Sequence, residues 1–326
     1  MKVLCLIPMD SDHRRLLESV DPSAEYEYVT DPKSLDAESL SGADVVIGNP
    51  DPALLKENHR LRLLQLQSAG TDGYTKEGVL PDSCTLCNAS GAYGLAISEH
   101  MLAAVLMLMK KLHLYYEEQE KHAWVDHGSV TSIWNSRTLV VGLGDIGGEF
   151  AKRMHALGSR VTGIRRTVQE KPDYLEKLVQ MDALDEELKE ADIVAASLPS
   201  TKETLHLFNR ERFARMKQGA IFVNVGRGTA VDQEALYEAL ESGHLGGAAL
   251  DVTDPEPLPP EHPLWTAKNV IITPHISGWF HLRETYERIV RIAVENYRRL
   301  LSGEELMNRV DFSTGYRVLS ARSREE

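Results

Sequence analysis

Three short segments place chemically capable side chains just beyond apolar, strand-like runs: Arg227 in IFVNVGRG, Glu256 in ALDVTDPEP and His275 in VIITPHISG. Hydride delivery to a keto carbon leaves an alkoxide that must be protonated, and a histidine titrates near neutral pH. A neighbouring carboxylate favours the imidazolium form, so the proton is present in the reducing direction. An arginine is permanently charged and can grip a carboxylate while polarising the adjacent carbonyl. Taken singly, each residue has a plain explanation: a strand-end histidine with one hydrogen bond, a solvated acid between Pro255 and Pro257, a surface arginine. Together they lie past strand C-termini, the edge where open α/β sheets bind ligands, and they point to carbonyl reduction. Asp251, at the end of its own strand, either tunes Glu256 or caps a turn.

The reductant is announced by TLVVGLGDIGGEFAKRM, in which Gly142, Gly144 and Gly147 form G-x-G-x-x-G between an apolar strand and a helix. In that context Gly142 permits the tight turn, Gly144 lets backbone approach a pyrophosphate, and Gly147 lets the helix pack on the strand. The pyrophosphate would rest on the helix N-terminus, beside Asp145 and Ile146. An NAD site commonly has an acid at the end of the second strand. Here RVTGI is followed by Arg165, Arg166 and Thr167, two guanidiniums and a hydroxyl that suit a 2′-phosphate. NADPH is therefore expected in preference to NAD, which remains possible. Leu198, Pro199, Val225, Gly226, Asp251, His275 and Gly278, at the following strand ends, complete the expected cofactor contacts.

These residues need strands to carry them, and the sequence supplies two series. The first runs Val3 to Ile7, Tyr26 to Thr30, Asp44 to Ile47, Leu63 to Gln67 and Thr85 to Asn88. From Ser98 to about Lys121 the pattern is helical, a connector between sheets. The second comprises six candidates: Thr138 to Val141, Arg160 to Ile164, Ile193 to Leu198, Ala220 to Val225, Ala248 to Val252 and Val270 to Thr273. A helix over Leu282 to Leu301 follows, and then a patternless tail. Strands alternating with helices predict an α/β fold of two doubly wound parallel-sheet domains. A Rossmann dinucleotide-binding domain, residues 99–281, is inserted in a flavodoxin-like substrate domain, residues 1–98 and 282–326. The cleft between domains is the default active site.

Composition narrows the partners. The chain has 326 residues, 42% hydrophobic and 26% charged, as expected of a two-domain globular protein. A net charge of −13 opposes binding to nucleic acid or an anionic membrane. The apolar run Met101 to Met109 is too short to span a bilayer, and MKVLCLIPMD reads as a first strand rather than a signal peptide. Three cysteines without framework spacing indicate a reducing compartment, hence the cytoplasm. Cys84 and Cys87 form C-x-x-C, but a strand-like TLCN and the lack of a second ligand pair argue for packing; no metal site is expected.

The ordered set VGLGDIG, VNVGRG, DVTDPEP and TPHISG resembles the D-isomer-specific 2-hydroxyacid dehydrogenase family, which includes glyoxylate/hydroxypyruvate reductases and phosphoglycerate dehydrogenases. The resemblance spans nearly the whole chain. It implies that Arg227 binds the substrate carboxylate and keto oxygen, His275 is the general acid/base and Glu256 pairs with it. It also implies that AGTD is a carboxylate-binding loop, with Ser68 and the amides of Ala69 and Gly70 at the substrate, and that the enzyme is a homodimer built on its dinucleotide domains. The expected reaction is reduction of glyoxylate, hydroxypyruvate or a larger 2-keto acid to the D-2-hydroxy acid. The arginine pair departs from the commonest pattern, and no C-terminal regulatory domain, hence no feedback by serine, is expected. Tyr74 and Tyr93 face the substrate or pack a domain. Trp124, Trp134 and Trp279 wall the pocket or fill an interface. Two competing functions share this fold: a dinucleotide-sensing scaffold without turnover, and a formate- or phosphite-type dehydrogenase.

Overall fold

The computed structural model describes the chain except residues 30, 32–34, 168–169, 280 and 319–326, and except the side chain of residue 316. The chain divides into two compact units, Met1–Tyr93 with Phe280–Glu326, and Gly94–Trp279.

The first unit opens with β1 (Lys2–Cys5), α1 (Ser11–Glu18), β2 (Glu25–Tyr28), α2 (Ala37–Ser41), β3 (Val45–Ile47), β4 (Leu63–Gln65) and β5 (Thr85–Cys87). These strands form a parallel sheet in the order β2-β1-β3-β4-β5, the flavodoxin-like arrangement. β1 and β3 read as apolar runs because both faces of the sheet are covered at its centre, where every residue of β3 and β4 is buried; the edge strand β2, Glu-Tyr-Glu-Tyr, has none fully buried. Leu4, Leu40, Val46, Leu55, Leu64 and Leu86 form the core of one face. Each expected strand of this series is present, although residue 30, at the end of the second, lies outside the described residues.

The second unit begins with α3 (Gly94–Met109) and α4 (Leu112–Glu120). One continuous helix from Ser98 was expected; the structure starts earlier and breaks at Lys111, whose φ of 56° is left-handed. The two lysines at the break serve the following loop, Lys110 Nζ donating to the Thr131 carbonyl at 2.7 Å and Lys111 Nζ to that of His127. Neither a proline nor a glycine marks the break, so periodicity alone carried the helix through. Met101, Val105, Leu108 and Met109 are buried, as the apolar run requires. Among the described residues no helix is long and apolar enough to cross a membrane.

The unit continues through β6 (Arg137–Val141), α5 (Asp145–Ala156), β7 (Arg160–Ile164), β8 (Lys177–Val179), α6 (Leu184–Glu187), β9 (Ile193–Ala196), α7 (Arg210–Arg215), β10 (Ile221–Asn224), α8 (Gln233–Glu241), β11 (Gly247–Leu250) and β12 (Val270–Ile272). Among the described residues the sheet has seven strands, all parallel, ordered β12-β11-β10-β9-β6-β7-β8. Six were expected. The unforeseen β8 occupies the edge position that corresponds to the third strand of the dinucleotide fold, so β12 is an addition to the other edge. Three residues, Lys-Leu-Val, none of them fully buried, carry too little apolar signal to be recognised as a strand. On one face Leu139, Val194 and Leu250 join a core with Phe222, which makes T-shaped contacts with Phe208 and Phe213.

The chain then returns to the first unit as α9 (Arg283–Ser302). Asn296, fully buried on this helix, donates to Gln65 Oε1 of β4 at 2.6 Å and exchanges bonds with the backbone of Met307. The tail expected to be patternless forms a short antiparallel pair, β13 (Val310–Asp311) and β14 (Tyr316–Arg317). Two-residue strands leave no alternation to detect.

Cys5, Cys84 and Cys87 are free and buried. Burial pushes the thiols up, Cys5 to about 11 and the other two to about 12. At pH 8, iodoacetamide should leave the native protein unlabelled over a period in which urea-unfolded chain takes up three equivalents; rapid labelling of native Cys84 or Cys87 would contradict this packing role.

Candidate active site

The Gly-rich turn between β6 and α5 is built by close backbone approach. Gly142 has φ +100°, and a Cβ there would lie 2.5 Å from the Ser197 carbonyl oxygen; one on Gly147 would lie 2.0 Å from that of Gly142. Gly144 faces open space, with nothing within 4 Å of its would-be Cβ. It is also the N-cap of α5 and offers no side chain to the helix amides. A tight turn, an open approach and uncapped helix N–H groups fit the pyrophosphate of a dinucleotide. Arg165, directly after β7, turns its Nε to the Leu143 carbonyl at 2.9 Å, so its guanidinium lies at the turn. Arg166 and Thr167 are exposed beside it. Asp145, expected at the cofactor, directs Oδ2 to the Gly94 amide at 2.8 Å and thereby holds the start of α3. Pro199 is fixed by Thr204, whose hydroxyl donates to its carbonyl at 2.6 Å. Val225 and Leu198 are buried, while Gly278 is half-buried.

The loop after β10 carries Arg227. Asn224, buried at the strand end, accepts from the Gly226 amide and donates to the Arg227 carbonyl, both at 3.0 Å, and Arg227 Nη1 donates to the Gly226 carbonyl at 2.8 Å. The flanking glycines permit contact with neighbouring loops: a Cβ on Gly226 would lie 2.3 Å from the Leu198 carbonyl oxygen, and one on Gly228 would lie 1.9 Å from that of Thr253. Thr253 donates its amide to Glu256 Oε1 at 3.1 Å, and Glu256 Oε2 is 2.9 Å from His275 Nδ1. The loops bearing Arg227, Glu256 and His275 are thus linked by successive contacts through Thr253.

Asp251 caps the turn that carries His275. Its buried carboxylate accepts from the Thr273 hydroxyl at 2.6 Å, the Ile276 amide at 3.0 Å, and the Ser277 amide and hydroxyl at 3.1 and 2.5 Å. The His275 amide donates to the Asp251 carbonyl, and His275 is held at a left-handed φ of 51°. Because Thr273 spends its one proton on the carboxylate, His100 Nε2, 3.2 Å from the same oxygen, must be the donor to it.

In the first unit the loop after β4 carries Ser68, Ala69 and Gly70. Its carbonyls are all claimed: Gln67 by the Tyr93 hydroxyl, Ser68 by the Ala89 amide at 2.9 Å, Ala69 by Asn88 Nδ2 at 2.8 Å and Gly70 by the Ser68 hydroxyl at 2.7 Å. Among the described residues, the amides of Ser68, Ala69 and Gly70 donate to no protein group. A half-buried run of unspent N–H groups suits an anion. Tyr93, offered above as a substrate contact or packing residue, spends its hydroxyl on this loop, and Tyr74 donates to the Pro50 carbonyl at 2.7 Å within the core. Among the described residues there is no cluster able to hold a metal.

Sequence reading did not single out Asn224, Thr253, Thr273, Ser277, Asn49, Asn88 or His100. Asn224, Thr253, Thr273 and Ser277 lie inside the quoted motifs, but a short polar side chain at a strand end gives no sign of which backbone group it will satisfy.

Residues 102–277 match the model of the D-isomer-specific 2-hydroxyacid dehydrogenase NAD-binding domain. Glyoxylate/hydroxypyruvate reductase B of Escherichia fergusonii is 32% identical over 277 residues, covering 82% of this chain and 84% of that one. A D-isomer-specific 2-hydroxyacid dehydrogenase family protein from Aeromonas salmonicida superposes with TM-score 0.84 at 32% identity, over 95% of this chain and 99% of that one. An NADPH-dependent glyoxylate/hydroxypyruvate reductase from Sinorhizobium meliloti, solved with NADP and sulfate, superposes with TM-score 0.82 at 26% identity, over 97% and 99%.

Proposed function

Because the chain belongs to the D-isomer-specific 2-hydroxyacid dehydrogenase family, we propose that it reduces a small 2-keto acid, glyoxylate or hydroxypyruvate foremost, to the D-2-hydroxy acid with NADPH. The observation that carries this reading is the 2.9 Å bond between His275 Nδ1 and Glu256. A carboxylate only accepts, so Nδ1 holds a proton and Nε2 is the nitrogen left to exchange one with substrate. Glu256 is itself oriented by the Thr253 amide, which fixes the plane in which the imidazole is presented.

A bound nicotinamide dinucleotide supplies the hydride. Gly142, Gly144 and Gly147 would hold its pyrophosphate, and Leu198, Pro199, Val225, Gly226 and Gly278 would border it. Arg227 stabilises negative charge as it builds on the keto oxygen, and His275 delivers the proton to that oxygen. The amides of Ala69 and Gly70 would receive the substrate carboxylate. NADPH is favoured because Arg165 and Arg166 directly follow β7 with no acid there, and because the Sinorhizobium relative is NADPH-dependent. The buried free thiols accord with a cytoplasmic enzyme. Leu112, Tyr116, Trp124, Val125, Val130 and Trp134, exposed around α4 and the following loop, form the surface on which the homodimer is proposed to close.

His275→Ala should lower kcat for glyoxylate on the order of a hundredfold or more while NADPH affinity, read by fluorescence titration, changes less than about twofold. Lost cofactor binding with unchanged kcat would refute the assigned role. Arg165→Asp should shift the NADPH/NADH ratio of kcat/KM by about 10- to 100-fold toward NADH, the worth of one charge-assisted bond; an unmoved ratio places phosphate recognition elsewhere. Sedimentation equilibrium should give a dimer that Trp124→Glu with Tyr116→Glu weakens, and a wild-type monomer at micromolar concentration would remove the proposed interface.

A further inference from the structure

A trans peptide points its C=O and the next residue's N–H in opposite directions, so whatever grips a carbonyl also aims the following amide. In the loop after β4, the Ala69 carbonyl is gripped by Asn88 Nδ2 at 2.8 Å. We propose that Asn88 is the positioning residue for substrate-carboxylate recognition: by fixing the Ala69–Gly70 peptide plane it presents the Gly70 N–H to the anion. This rests on the keto-acid reading above and deepens it by naming what shapes the anion site.

Asn88 is equipped for that task. It follows β5, is 3% exposed, and its side-chain orientation is determined: Oδ1 accepts from the Ser90 amide at 3.2 Å, which leaves Nδ2 to face Ala69. Its own backbone is tied, the amide donating to the Asn308 carbonyl at 3.2 Å. The neighbouring planes are set independently, since Ser68 O is held by the Ala89 amide, and Gly70 O by the Ser68 hydroxyl, which in turn accepts from Asn49 Nδ2 at 2.9 Å. Asn49 is locked by accepting from the Gln67 amide at 2.9 Å. Only the Ala69–Gly70 plane therefore depends on Asn88, and glycine at position 70 leaves that plane free to turn once released.

The chemistry yields an ordering that packing alone would not. Asn88→Asp keeps shape and size but sets an acceptor against the Ala69 carbonyl, which favours turning the plane so that the Gly70 N–H points to the new carboxylate. Asn88→Ala removes the grip without inverting it. With NADPH saturating at pH 8, the glyoxylate KM should rise about tenfold or more in Asn88→Asp and about threefold in Asn88→Ala, with kcat within about twofold and NADPH affinity unchanged. Binding of oxamate, an unreactive isostere of a keto acid, to the NADPH-saturated enzyme should weaken in the same order by calorimetry. A merely structural role predicts a lower melting temperature in both variants without a rise in KM at constant kcat and constant NADPH affinity. The proposal is overturned if wild type reduces glyoxylate but either soluble variant keeps KM and oxamate affinity within twofold, if alanine is the worse of the two, or if kcat falls at constant KM. Should Asn88→Asp fail to fold, Asn88→Ala decides alone. Wild type that turns over no 2-keto acid instead removes the keto-acid reading, and this inference with it.

Discussion

Where a parallel strand ends, its last backbone groups lose the neighbour that satisfied them, and a buried group left unpaired is costly. The chemistry of this protein is arranged around that constraint. At the C-terminal ends of β4, β10 and β11, short polar side chains take over the orphaned groups: Ser68 in the loop after β4 together with Asn88 directly after the adjacent β5, Asn224 as the last residue of β10, and Asp251 directly after β11. Each fixes a loop to within a hydrogen bond's tolerance. After β4, among the described residues, the amides of Ser68, Ala69 and Gly70 are left to act on a ligand. The loops that carry Arg227, Glu256 and His275 are thus tied down by hydrogen bonds from these side chains and their neighbours.

The second requirement is proximity. Three strand-end loops must approach closely enough for Glu256 to reach His275 while Arg227 stays adjacent, and ordinary side chains would hold them apart. Gly226 and Gly228 remove that barrier, the first against Leu198 and the second against the Thr253 peptide, with would-be Cβ distances of 2.3 and 1.9 Å. The same device appears at Gly142 and Gly147 for the turn that precedes α5. Glycine here sets the spacing between loops, and polar side chains set their orientation. Neither would suffice alone, since close loops without Asp251 would leave the His275 segment without four of its anchoring bonds.

What could be read from sequence follows the same division. Central strands buried on both faces announce themselves by continuous apolar runs, whereas β8, an edge strand of three residues with none fully buried, does not. Motif glycines and the Arg227, Glu256 and His275 side chains were legible because their residue types are unusual at strand ends. The partners that aim them were not. Asn88 and Thr273 look like any small polar residue, and their role depends on a partner 19 or 22 positions away in the chain. Asp145 illustrates the converse: its place inside the fingerprint suggests a cofactor contact, and nothing in its residue type announces that its carboxylate holds the Gly94 amide. The break at Lys111 was invisible because left-handed backbone at a lysine has no signature in composition.

Electrostatics ties these features together. A chain of net charge −13 must attract an anionic cofactor and an anionic substrate, and a broad positive patch would have to overcome that field over long range. Short-range donors avoid the difficulty, because backbone amides and single guanidiniums act over distances well below the screening length of about 8 Å. The unspent amides of Ser68, Ala69 and Gly70, the uncapped start of α5, Arg165 at the Gly-rich turn and Arg227 beside Gly226 are all donors of that kind. Directional donors of this sort suit a small anion better than an extended polyanion, which gains little from a few recessed N–H groups. A net charge of −13 therefore opposes polyanions at long range while leaving short-range, directional donors able to act.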